Sequence, residues 1–217
     1  MNPLLNPSPL KHAAVPFNAI KPEHFTPALD EAIRRGHERL KEIKAKPASF
    51  EHTFRGLESC TEEMEFVFSL FSNLLLAHGN DELQKLSVEL GPKVSAFAND
   101  ILLDADVFAR VSEVYKNRNS LGLGKEQMRL VDKVFRDFER SGAGLPADKK
   151  ARLRAIDDRW SQLSPKFREN VLRSTNMFEL WLDDEKDLAG LPPTQKTAAR
   201  EAAAEKGQPT RWLITLQ

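Results

Sequence analysis

The sequence predicts a mostly α-helical protein that ends in a small strand-helix-strand element. Long segments place apolar residues three and four positions apart, which is typical of helices that bury one face. Two short segments, Phe178–Leu182 and Arg211–Leu216, instead have the two-residue period of a strand. At 217 residues, the chain is long enough to bury roughly 70% of its unfolded surface.

The most regular apolar stripe lies between residues 151 and 174. Its residues recur at intervals of three or four: Leu153, Ile156, Trp160, Leu163, Phe167 and Val171. A helix with this stripe needs other helices to cover it, and we expect the upstream helices to supply that cover. Pro165 lies inside the segment, so we predict a kink or a new helix start near Ser164.

The first 25 residues lack a helical period and contain five prolines, which favour extended structure. Their scattered apolar side chains suggest a strap laid on the body of the protein. The alternative is a disordered arm.

Residues 26–177 are predicted to form a helical bundle. The first helix begins at Thr26-Pro27, where a hydroxyl can cap and a proline fits the first turn. The second is capped by Ser49 and runs to about Ala77; it is the most hydrophobic helix and is expected at the centre of the bundle. Gly91-Pro92 should kink or interrupt the third helix. Asp104 can cap the fourth helix, and the fifth helix precedes a glycine-rich stop at residues 141–144.

Residues 178–217 are predicted to form the strand-helix-strand element, with its helix from Pro193 to about Lys206. A right-handed parallel crossover is the default for such a unit. A sheet of two strands is marginal by itself, and the last strand ends without a closing turn. We therefore expect a truncated element with an exposed apolar patch along its two strands.

The charge balance, hydropathy and cysteine content of the chain disfavour several classes of function. The 32 basic and 32 acidic residues cancel, so no basic surplus indicates nucleic-acid binding. The most apolar run, which starts at Phe66, is too short for a membrane span and is broken by polar residues. No signal peptide is recognisable, and the single cysteine fits a reducing compartment. The predicted location is the cytoplasm.

The histidines give no paired metal ligands. They are His12, His24, His37, His52 and His78. The run HERLK from His37 begins like a zinc-protease helix, but Lys41 stands where the second ligand is needed, so a solvated helix face is the better interpretation. His24 precedes a helix start and is interpreted as a packing or capping group.

The other candidate groups also have simpler structural interpretations. Cys60 lacks a CxxC partner and is interpreted as a buried small hydrophobe. The run GLGKE at Gly122 is a turn and lacks phosphate-loop spacing. The adjacent pairs Asp157-Asp158 and Asp183-Asp184 are not arranged for shared chemistry, and Trp160 and Trp181 are interpreted as core or strand-packing residues. We predict no catalytic, cofactor-binding or metal-binding residue in this chain.

Several stretches together resemble the N-terminal region of the oligopeptidase A, thimet oligopeptidase and dipeptidyl carboxypeptidase family of zinc metallopeptidases. The resemblance extends along the chain in the expected order. The stretches are NPLL, PFNAIKPEHFTPALDEAI, PASFEHTF, FSNLLLAHGNDELQKL, RNSLGLGKEQMRLVDKVFRDFERSGAGLP, LSPKFRENVLRSTNMFELWLDDEKDLAGLP and RWLITLQ.

The resemblance implies a mostly helical clamshell whose two halves flank a deep channel. It implies that this chain forms one wall and restricts the channel to short peptides. Zinc, the HExxH helix and a further glutamate belong to the C-terminal half of such proteins, and this chain has no HExxH. The implied partners are that catalytic half and, in the full-length protein, oligopeptide substrates, so the chain should be inactive alone.

Two other hypotheses remain at the level of sequence. The chain could be a free-standing helical protein that kept the fold and became a binding or regulatory module. An independent enzyme of another class has no residue constellation to support it. The coding sequence after Gln217 distinguishes the first two hypotheses, because a continuation containing HExxH favours the peptidase domain.

Overall fold

Helices α1 (Phe25–Ala45) and α2 (Gly56–His78) pack side by side and carry much of the core. A computed structural model describes residues 2–6, 8 and 10–216 of the chain. The two backbones come close at Gly36, whose carbonyl oxygen accepts a hydrogen bond from the Cys60 thiol at 3.0 Å. Further along, Phe71 of α2 is fully buried and meets the ring of Phe25 edge-on at 5.3 Å. The hydrophobic second helix therefore contributes directly to the core, as predicted.

Three further helices complete the same core: α3 (Asp81–Leu102), α4 (Ala105–Asn117) and α5 (Lys125–Arg140). α3 continues through Pro92 and is not interrupted there. Leu4 from the N-terminal segment is also buried in this cluster, and Val15 and Ile20 pack against it. The residues that precede α1 thus contact the body of the protein.

The predicted second helix is divided in the structure. Phe50–Arg55 forms a π-helical turn before α2, and the Ser49 hydroxyl accepts a hydrogen bond from the His52 amide at 3.0 Å, as expected for a cap. Phe50 and Phe54 are both buried, with parallel rings 5.8 Å apart. Periodicity alone does not reveal such a turn, because Phe50 and Phe54 are four positions apart, the same spacing that an α-helical face would show.

Asp104 joins the start of α4 to the end of α1. One carboxylate oxygen accepts hydrogen bonds from the amides of Asp106 and Val107, at 2.8 and 3.0 Å. The other accepts from the Lys44 ammonium group at 2.8 Å. Burial opposes ionisation of Asp104, but the Lys44 ammonium and the two amides outweigh burial and lower the pKa of the carboxyl group.

We expect Asp104→Ala to lower the free energy of unfolding by about 1–3 kcal/mol, because it removes a helix cap and a charge-assisted hydrogen bond. A carboxyl group whose pKa is lowered by folding stabilises the protein above its unfolded pKa, and that stability is lost as pH falls through the folded pKa. Urea unfolding at neutral and acidic pH measures both effects. Asp104→Asn is the matched control, since it keeps the cap and removes the charge; equal losses in both variants would contradict the role of the cap.

Helix α6 (Ala147–Met177) continues through Pro165, where a kink or new start was predicted. Contacts divide the chain into two compact units, Met1–Pro165 and Lys166–Gln217. Met1, Pro7, Pro9 and Gln217, which belong to the predicted strap and final strand, lie outside the described residues. The three-part division at residues 25 and 177 remains a prediction.

The second unit contains the predicted strand-helix-strand element, but its strands are antiparallel. β1 (Leu180–Leu182) pairs with β2 (Trp212–Ile214) in the register Leu182 opposite Trp212, and α7 (Pro193–Glu205) lies between them in sequence. The expected parallel crossover was therefore wrong. In this register the connection, which contains a 3-10 turn at Glu185–Leu188 and α7, begins and ends at the same end of the sheet, whereas a parallel crossover would return to the opposite end.

The expected apolar patch is present at the first strand, where Phe178 and Leu180 are 40% and 46% exposed, but the expectation was wrong for most of the final strand. Trp212 and Leu213 are buried, and Trp212 belongs to a small core with Leu188 and Ala199. The guanidinium carbon of Arg200 also lies over the Trp212 ring, 5.0 Å from the ring centroid. Helix α7 and the 3-10 turn supply the cover that the sequence did not reveal.

The mostly α-helical class with a small C-terminal two-stranded element is confirmed. Across the part of the chain that the structure describes, no helix combines the length and apolar character that crossing a bilayer requires.

Candidate functional site

His37, the best sequence candidate for a metal ligand, lies in a structural cluster between α1 and α3. Its ring meets Phe97 edge-on at 4.9 Å, and its Nε2 lies 3.6 Å from a carboxylate oxygen of Asp100. The same carboxylate accepts a hydrogen bond from Arg154 at 2.7 Å. A guanidinium group beside the carboxylate competes with any cation, so the cluster does not suit zinc.

Cys60 is buried, as predicted. Its thiol donates to the Gly36 carbonyl oxygen, and burial raises the pKa of the thiol to about 11. A thiol that stays protonated at neutral pH is a poor nucleophile. Cys60 therefore contributes to packing between α1 and α2.

The other histidines occupy turns and ends. The ring of His24 accepts a hydrogen bond from the Lys21 amide at 3.1 Å, which confirms the capping interpretation. The Nδ1 atom of His52 lies 3.3 Å from the Pro47 carbonyl oxygen, and His78 ends α2. His12 is exposed in a turn with a positive φ of 59°.

The paired carboxylates are separated as expected. Asp158 accepts a hydrogen bond from Gln162 on the same helix. In the second unit, Asp183 pairs with Arg211, and Asp184 caps the 3-10 turn through the Lys186 amide. The Lys186 ammonium group and amide lower the pKa of Asp184.

The remaining motif candidates also have structural roles. Gly122 has a φ of 65°, which fits a turn, and Trp181 is half-buried beneath the guanidinium group of Arg211. Within residues 2–6, 8 and 10–216, no three histidine, cysteine or acidic side chains are grouped so that they could hold a metal ion.

Several open clefts indent the first unit. One, of about 580 Å³, lies between the N-terminal segment and α1 and α2; two of its charged groups, Arg35 and Glu63, are paired with each other at 3.1 Å. Another, of about 940 Å³, lies between α2 and α5 and is lined by Glu58, Glu65 and Lys133, among others. Among the described residues, no histidine or cysteine lines either of these two clefts.

The more informative surface belongs to the part of α6 in the first unit, residues 147–165. Its polar side packs on α3. The Lys150 ammonium group donates to the Leu103 carbonyl oxygen at 3.0 Å, and Arg154 donates to the carboxylate of Asp100 and to the carbonyl oxygen of Asn99 at 2.9 Å. Charged hydrogen bonds thus hold this helix against the bundle, and of the predicted stripe only Leu153 is half-buried, beside Gly142.

The apolar side of the same segment faces solvent. Ile156, Trp160 and Leu163 are 52%, 72% and 47% exposed. We call these three residues the outer stripe. The prediction that upstream helices cover them was wrong, and so was the interpretation of Trp160 as a core residue. The sequence did hold a signal, because Lys150 and Arg154 recur at helical spacing on the opposite side.

Comparison with known proteins finds relatives that match nearly the whole chain. No protein-family model matches the chain. The chain is 39% identical over 99% of its length to the dipeptidyl carboxypeptidase of Salmonella typhimurium, of which it covers 32%. It is 35% identical to the dipeptidyl carboxypeptidase of Escherichia coli, covering 32% of that protein. The oligopeptidase A of Escherichia coli is 30% identical, with 31% of its length covered.

The chain resembles one third of a dipeptidyl carboxypeptidase. The resemblance inferred from sequence is therefore confirmed, and the covered share fits an N-terminal region of such proteins. The chain spans about a third of the length of the curated relatives that it matches.

Proposed function

We propose that this chain is the N-terminal, non-catalytic domain of a cytoplasmic zinc-dependent oligopeptidase. The observation that supports this proposal best is the sequence match to the Salmonella typhimurium dipeptidyl carboxypeptidase, which covers 99% of this chain and only 32% of that protein. In this proposal, the chain forms one wall of a substrate channel and restricts access to short peptides.

The side-chain chemistry supports a non-catalytic role. Cys60 is buried and its thiol stays protonated at neutral pH, and His37 is held beside the Asp100–Arg154 pair. These residues do not fit a zinc ion. Zinc, the HExxH helix and the C-terminal catalytic half of the protein would supply the hydrolysis of oligopeptides, while this chain shapes the approach to them.

The alternative is a free-standing helical binding or regulatory protein derived from the same fold. The outer stripe fits this alternative as well, because exposed apolar side chains grouped on a surface are characteristic of interaction sites. The two hypotheses differ in whether the natural coding sequence continues into a frame that contains HExxH.

We expect the isolated chain neither to bind zinc stoichiometrically nor to cleave peptides, because the described residues do not bring together a set of metal ligands. Metal analysis of protein purified without chelator, with a fluorogenic oligopeptide assay, measures both. The full-length Salmonella typhimurium relative is the positive control. Stoichiometric zinc together with peptidase activity that a chelator abolishes would contradict the proposal.

The positive test is a chimera in which this chain replaces the matching third of that relative. Chelator-sensitive cleavage of short peptides by the chimera supports the proposed function. A folded, zinc-loaded chimera that cleaves no peptide would contradict it.

A further inference from the structure

We propose that the outer stripe is the docking surface for the part of the longer protein that follows this third, and that this part meets it with an apolar groove whose rim is acidic. The proposal rests on the proposed function, in which such a remainder exists. It goes further by naming the surface and the chemistry of its partner.

The first argument is the orientation of the helix. An amphipathic helix gains stability by turning its apolar side toward a core and its polar side toward water. Here Lys150 and Arg154 make the inward contacts with α3, and Trp160, at 72% exposed, points outward. Ser161 also lies on the inner side, with its carbonyl oxygen 3.6 Å from where a Cβ on Gly91 would stand. The bundle therefore uses the polar side of this segment, and the apolar side is left for another surface.

The second argument is the composition of the stripe. Tryptophan is enriched at the centres of protein interfaces, where its large ring loses water on binding. The branched side chains of Ile156 and Leu163 flank Trp160 at positions one helical turn away on either side. Three neighbouring apolar side chains, each about half or more exposed, make a coherent surface and not scattered exposure.

The third argument is charge. Arg152 and Arg159 border the stripe and are exposed, and neither has an ion pair among the described residues. Carboxylates on the rim of a partner would complement these guanidinium groups. A second copy of the chain would instead bring the same guanidinium groups toward each other, which disfavours self-association through this surface.

The fourth argument is the length of the relatives, which are about three times as long as this chain. A remainder joined to the same polypeptide is present at a high effective concentration, so even a small apolar surface is sufficient for docking. This observation selects the remainder over an unrelated partner.

The experiment compares the isolated chain with the chimera described above. Iodide quenching of Trp160 is obtained as the difference between the parent protein and its Trp160→Phe variant. In the isolated chain we expect Trp160 to be fully accessible and the protein to be monomeric by sedimentation. In the chimera we expect quenching of Trp160 to fall several-fold. Equal quenching in a folded chimera would overturn the proposal.

Matched variants test the surface directly. Ile156→Ser combined with Leu163→Ser should lower the thermal midpoint of the chimera by several degrees more than that of the isolated chain, where only half of each side chain and some helix propensity are lost. Leu76→Ser is the control, because Leu76 is 80% exposed on α2 and lies outside the stripe; it should change both midpoints to the same small extent. Equal losses from the stripe variant in the isolated chain and in the chimera would overturn the proposal.

Two further outcomes would assign the stripe to another occupant and overturn the proposal. One is concentration-dependent dimerisation of the isolated chain that protects Trp160. The other is stripe-dependent binding to vesicles of anionic phospholipid. If the chimera does not fold, the chain is co-expressed with the separate remainder of the Salmonella typhimurium relative. Copurification that the stripe variant abolishes supports the proposal, and its failure overturns it.

Failure of this proposal is distinguishable from failure of the proposed function. Peptide cleavage by a chimera in which Trp160 stays accessible would leave the function standing and overturn the docking surface. Protection of Trp160 in a folded, zinc-loaded chimera that cleaves no peptide would support the docking surface and overturn the proposed function.

Discussion

Replacing Phe71 with alanine should lower the free energy of unfolding by about 3–5 kcal/mol, the range for removing a buried aromatic ring. Phe71 is 1% exposed, and its ring contacts Phe25 edge-on at 5.3 Å and lies 6.2 Å from Phe68. The substitution leaves a cavity between α1 and α2 that helices on both sides can close only in part. Chemical denaturation monitored by circular dichroism measures the loss.

Phe66→Ala is the matched control, because Phe66 lies on the same helix and is 50% exposed. This substitution should lower the free energy of unfolding much less than Phe71→Ala, since half of the Phe66 side chain is already in water. A loss below about 1 kcal/mol for Phe71→Ala, or equal losses for the two variants, would show that α2 does not pack as described.

Replacing Gly36 with alanine should lower the free energy of unfolding by about 1–3 kcal/mol, although alanine favours helices by about 1 kcal/mol over glycine. A Cβ at this position would lie 2.4 Å from the Cζ of Phe97 and 2.8 Å from the Cys60 carbonyl oxygen. The Phe97 ring is buried against His37, and the carbonyl oxygen belongs to the backbone of α2, so neither can move aside freely. The two helices must therefore separate, which also weakens the hydrogen bond from the Cys60 thiol.

Gly91→Ala provides the opposite expectation within the same experiment. Gly91 is also helical, and its added Cβ would meet the Ser161 carbonyl oxygen at an ordinary 3.6 Å. The change should stabilise the chain by up to about 1 kcal/mol through helix propensity. If both alanine variants shift the urea midpoint in the same direction, close approach at Gly36 does not control the packing of α1 on α2.

The sequence predicts no catalytic constellation, because spacing rules restrict which residues can meet on one helix. HERLK places Lys41 at the second ligand position, and Cys60 has no CxxC partner. The surface on α6 was not recognised in the same way. Its stripe was visible, but a stripe shows only that a helix has an apolar side and not which surface covers it.

Periodicity and capping residues by themselves determined the helices, since both act within a few residues of the chain. Ser49 and Asp104 cap where the sequence places them, and the apolar positions of α2 lie in the core. The tertiary structure decided what depends on distant partners. Strand direction follows from the connection between β1 and β2, and the cover of Trp212 comes from Leu188 and Ala199.

The orientation of α6 is the clearest example of a feature that depends on distant partners. Its apolar and polar sides are both fixed by sequence, yet Asp100 and the carbonyl oxygens of Asn99 and Leu103 bind the polar side. Those acceptors lie about 50 residues earlier in the chain, on and just after α3, where local patterns cannot locate them. Only their arrangement in space turns Trp160 outward and leaves an apparent core residue exposed at the surface.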